Sequence, residues 1–64
     1  MHADLAKLST IASALDELTE RVTAMADRHS ANTKDESLAT GLYDVERSLQ
    51  AAARRLASVM RRMG

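Results

Sequence analysis

The sequence contains no cysteine, proline, tryptophan or phenylalanine, and Tyr43 is its one aromatic residue. Without Cys there is neither a disulfide framework nor a thiolate for metal binding or nucleophilic attack. Neither His2 nor His29 has an Asp, Glu or His four residues away, so the helical spacing of a metal pair is missing. Glycine occurs only at Gly41 and Gly64, which leaves no Gly-rich loop for phosphate. No serine has a plausible base and orienter, and no apolar run approaches a membrane span or a signal-peptide core. The start, Met1-His2-Ala3-Asp4, lacks the pattern of a targeting leader, so a cytoplasmic location is expected. Nine acidic and nine basic residues cancel to a net charge of zero, so no global charge draws the chain to nucleic acid or an acidic membrane surface. Seven arginines to two lysines, with twelve alanines, point to a high-GC bacterial source.

What the 64 residues do contain is an uninterrupted heptad pattern. Leu8, Ile11, Leu15, Leu18, Val22, Met25 and His29 follow one another in alternating steps of three and four. With Leu8 at position a, Leu15, Val22 and His29 are also a, and Ile11, Leu18 and Met25 are d. The pattern returns at Leu38, Leu42, Val45, Leu49, Ala52, Leu56, Val59 and Met63, where Leu42, Leu49, Leu56 and Met63 are a. The polar stretch 30–37 separates the two runs. Within it, Thr33 and Glu36 have the spacing of a capping box. The pattern predicts helix 1 over about 3–29, a turn at about 30–33 and helix 2 over about 34–63, all one domain. The fold class expected is all-α: an antiparallel two-helix hairpin, coiled-coil in character. Pairing His29 with Leu38 across the turn sets a against d throughout: Met25 with Leu42, Val22 with Val45, Leu18 with Leu49, Ile11 with Leu56 and Leu8 with Val59. Gly41 stands out, because glycine inside a helix costs about 1 kcal/mol relative to alanine and asks for a packing reason.

A single two-helix seam leaves every core side chain half exposed, and so short a chain without disulfide or metal needs a further source of stability. Self-association into a homodimeric four-helix bundle is the expected source. The e positions, with Ala12, Ala26, Ala39 and Ala53 flanked by Leu5 and Met60, are small enough for close helix approach and are the expected self-association contact. The g positions carry Lys7, Arg21, Arg28, Arg55 and Arg62 and form a less favourable alternative. This layout resembles the Rop-type helical hairpins, small homodimeric RNA-binding proteins of plasmid copy control. The resemblance covers the chain as an arrangement of helices and carries no residue motif, so no functional residue transfers with it. Tyr43-Asp44-Val45-Glu46 approximates the Tyr-x-x-x-acid signal of the type VII-exported helical hairpins, but the acid comes one residue early and no Trp-x-Gly turn is present.

The charges divide unevenly. Residues 45–64 carry five bases, Arg47, Arg54, Arg55, Arg61 and Arg62, against one acid, Glu46. Arginine forks match phosphate or carboxylate, so these five are the candidate anion, nucleic-acid or partner contacts. A solvated helix face suited to the helix dipole is the plainer explanation. Asp16, Glu20 and Asp27 form the opposite, acidic surface on helix 1. The C-terminal run is basic and amphipathic, yet its Leu56, Val59 and Met63 belong to the seam, which argues against membrane use. The all-helical chorismate mutases place Arg and Glu inside the bundle; the interior here is Leu, Ile, Val, Met and Ala. The expectation is therefore a non-enzymatic homo-oligomeric adaptor or regulator with a protein partner and no cofactor, with a Rop-like nucleic-acid binder as the alternative.

Overall fold

The computed structural model describes residues 3–31, 34 and 36–64. Two helices, α1 (Ala3–Ser30) and α2 (Glu36–Met63), pack against each other as a hairpin about 51 Å long. Each has 28 residues, so the arms match in length. α2 opens at Glu36, two residues later than its heptad pattern suggested. The capping partner Thr33 and the neighbouring Asp35 lie outside the described residues, as does His2.

Acids at the helix starts, Asp4 and Glu36, and bases at the ends, Arg28 and His29 on α1 and Arg61 and Arg62 on α2, suit the helix dipoles. Helix-interior threonines satisfy their hydroxyls on the carbonyl four residues back: Thr10 on Ala6, Thr19 on Leu15, Thr23 on Thr19 and Thr40 on Glu36. α2 closes with the Gly64 amide donating to the Met60 carbonyl at 3.0 Å.

The seam between the helices is rotated from the predicted one. The d residues Ile11, Leu18, Met25, Leu38, Val45 and Val59 are 37% to 52% exposed. The two side chains buried outright are Ala26 and Ala39, both at e. The a residues Leu8, Leu15, Val22, Leu42, Leu49 and Leu56 are half-buried, together with Ala12, Thr19, Glu46, Ala53 and Met60 at e. The helices thus meet through a and e, and the a-with-d pairs drawn from the sequence do not close: Val22 is half-buried, while Val45, its expected partner, is out on the surface. Alanine is the physical reason. The distance between two helix axes is set by the side chains at the contact, and Ala26 and Ala39 permit an approach that Ile11 or Leu38 would obstruct. Each helix turns its e residues inward, closest at the alanines, and its d residues swing out. The stagger shifts with this rotation, because Glu46 meets Thr23 where the a-with-d pairing placed it near Thr19.

Candidate interaction surface

The rotated seam divides the hairpin into two unlike faces. Helix geometry places d and g on a front face and b and f on a back face, with a and e between them. Six large apolar side chains, three from each helix, line the front face: Ile11, Leu18 and Met25 from α1, Leu38, Val45 and Val59 from α2. No side chain larger than alanine is fully buried anywhere among the described residues. Lys7, Arg21 and Arg28 on α1 and Arg55 and Arg62 on α2 rim this face at g, all exposed. A depression on the α2 side of the front face is bounded by Lys34, Ser37, Leu38, Gly41, Leu42 and Val45.

The back face is polar in its middle and near the turn, apolar at the end remote from the turn, and carries three open grooves. At the end remote from the turn, Leu5, Ala6, Ser9 and Ala12 of α1 face Ala57, Met60 and Arg61 of α2. In the middle, Asp16 and Glu20 face Gln50 and Arg54, which brings opposite charges to the two walls of one groove. Near the turn, Tyr43 of α2 donates its phenol hydrogen to Asp27 Oδ1 at 2.5 Å, and Ser30 donates to the Asp27 carbonyl at 2.9 Å. That bond to Asp27 holds the Tyr43 phenol above its ordinary value of 10.0; a hydrogen bond with Ser30 pulls the other way, and burial and the charges of Asp27 and Glu46 raise it further.

The structure redistributes the residues singled out in the sequence. Ala26 and Ala39 are consumed inside the protomer's own seam and present no surface to a second chain. Leu5, Ala12, Ala53 and Met60 are half-buried along the same seam and its back-face grooves. The five arginines do not form one patch. Arg47, Arg54 and Arg61 lie at f toward the back face, while Arg55 and Arg62 lie at g on the front rim. Arg47 is paired with Asp44 one turn earlier. Arg54, Arg55, Arg61 and Arg62 are exposed and hold no ion pair among the described residues. The Tyr43–Asp27 bond had no sequence signal, because both residues lie off the heptad core positions. The front-face row was visible as heptad d positions but was assigned to the intramolecular seam.

Among the described residues no group of three or more His, Cys, Asp or Glu is placed to hold a metal, and no helix is long and apolar enough to cross a membrane. Comparison of the chain with protein-family models, with curated proteins and with solved structures returns no match.

Proposed function

We propose that this chain is a non-enzymatic helical interaction module that works as a homodimer, two hairpins laying their front faces together in a four-helix bundle that engages a protein partner. One observation carries the reading: six large apolar side chains from both helices stand 37% to 52% exposed along one face, while among the described residues only two alanines are buried outright. A hairpin that half-buries its a residues and leaves its large d side chains exposed holds those d side chains in reserve for a second layer. Surface area points the same way. A folded monomer of 7.0 kDa exposes about 4,040 Å², whereas this hairpin exposes 4890 Å². The excess, roughly 850 Å², is comparable to the ~800 Å² that each partner contributes to a standard interface. A rod is bound to expose more than a sphere, and lateral pairing is how a rod recovers that area. The contact thereby moves from the e positions to d, with the g bases at its rim. The bundle leaves both back faces, with their grooves, outward for the protein partner.

Sedimentation equilibrium over a wide concentration range tests the assembly. A dimer that dissociates on replacing Leu18 with Glu is expected; a monomer at every concentration overturns the reading.

The second reading, a Rop-like RNA or DNA binder, is favoured by the exposure of Arg54, Arg55, Arg61 and Arg62 without ion-pair partners. Its splitting between two faces weighs against it. A titration with duplex and single-stranded RNA and DNA decides: binding that falls steeply with salt and disappears when these four are changed to Gln supports the nucleic-acid reading, and no binding at low salt ends it.

A further inference from the structure

Gly41 stands inside α2, five residues beyond its first residue Glu36, at a position where glycine weakens a helix. Nothing among the described residues accounts for it. A Cβ built on Gly41 meets no heavy atom within 4 Å, and no glycine among the described residues has the positive φ that would require one. Gly41 lies at g, beside the exposed front-face row. With Leu38, Leu42 and Val45 it occupies the i, i+3, i+4 and i+7 corners of the hole that accepts a knob in coiled-coil packing. This hole lies in an open depression of about 460 Å³ that Lys34 and Ser37 also line.

We propose that this depression is a docking notch for a second copy of this chain, Gly41 providing room for a long side chain of that copy. The inference rests on the bundle reading above and adds the residue that sets how closely the two copies approach. Three features select a second copy as the occupant. The notch is continuous with the front face, since Leu38 and Val45 belong to both. A partner with large side chains repeated at matching spacing along a face fills notch and row together, and this chain's own front face has that repeat. Finally, helices meeting through their d sides bring g beside g. In an antiparallel contact a base of the second copy then lies over Gly41: Arg21 or Arg28, according to register, where α2 rests on its α1, and Arg55 or Arg62 where α2 rests on its α2. In both arrangements the missing Cβ leaves space for an arginine stem, which packs its methylenes against apolar surface while its charged end reaches water.

The test is Gly41→Ala, which pits helix propensity against docking. Sedimentation equilibrium is run on the wild type, Gly41→Ala, Ser48→Ala on the same g stripe, and Leu18→Glu, with helicity of the dissociated chains read by circular dichroism. Expected is a self-association about tenfold or more weaker for Gly41→Ala, although its helicity holds or rises, and unchanged for Ser48→Ala. A Gly41→Ala chain that associates as tightly as the wild type, or more tightly, overturns the notch. The two levels separate cleanly. If the wild type is monomeric throughout, or Leu18→Glu associates normally, the bundle reading falls and the notch falls with it. If those two behave as expected and Gly41→Ala is neutral, the bundle stands and the notch alone is lost.

Discussion

Thr23 on α1 donates its hydroxyl to the carboxylate of Glu46 on α2, tying the b position of one arm to the e position of the other. The same hydroxyl lies 2.9 Å from the Thr19 carbonyl. A hydroxyl has one proton, so its two acceptors compete for it. The inter-helix bond pins the stagger of the arms near the middle of the rod, where the apolar seam alone would tolerate a slip of one turn.

Replacing Thr23 with Val keeps the side-chain shape and removes the donor. The expected loss is about 1 kcal/mol of stability, the usual net value of such a bond. Chemical denaturation of Thr23→Val, Glu46→Gln and the double variant checks this. Strictly additive losses would show that the two side chains do not act together.

Ala26 has 0% exposure and Ala39 4%, so the seam has no room for more carbon at either place. Leucine at position 26 or 39 is expected to lower stability by about 1–3 kcal/mol through overpacking. Leucine at the exposed Ala24 serves as the control and is expected to be tolerated. Equal melting temperatures for the Ala24 and Ala26 variants would contradict the a-and-e seam.

Glutamate at Leu18 is expected to cost the isolated hairpin little, because Leu18 is 45% exposed within the protomer. Glutamate at Ala12 or Ala53, half-buried in the seam, is expected to unfold the hairpin as well as any assembly. Circular dichroism at a concentration low enough to dissociate the bundle separates the two. A Leu18→Glu chain that loses its helicity there while Ala12→Glu keeps it would reverse the assignment of faces.

The Tyr43 phenol, hydrogen-bonded to Asp27, is expected to ionise above 10.0 by ultraviolet titration, and Asp27→Asn is expected to bring the midpoint down. The sign for stability follows. Because the folded value lies above the unfolded one, the contribution is fully present below pH 10 and is lost as pH rises through the folded value. A midpoint that Asp27→Asn leaves unmoved would show that the carboxylate is not its cause.

The hairpin was legible because its determinants are local. The alternation of three and four residues, the polar interval between the runs and the charges at helix ends each act within a few turns of one chain. The composition also made Gly41 conspicuous, since its helix penalty can be read without any structure. The faces were not legible in the same way. A stripe built from a, d and e is wide enough for two contacts, and the pattern of Leu, Ile, Val and Ala does not say which edge goes to which. Apolarity led to a and d as the closed seam and the alanines at e as the second contact.

Sequence alone therefore determined that the chain makes two amphipathic helices of nearly equal length that fold back on each other, because periodicity and turn position are properties of the chain itself. Only the tertiary structure decided that Ala26 and Ala39 close the hairpin while Ile11, Leu18, Met25, Leu38, Val45 and Val59 face outward. That choice depends on how near two helix axes can come in three dimensions, and the side chains of both arms set the distance jointly.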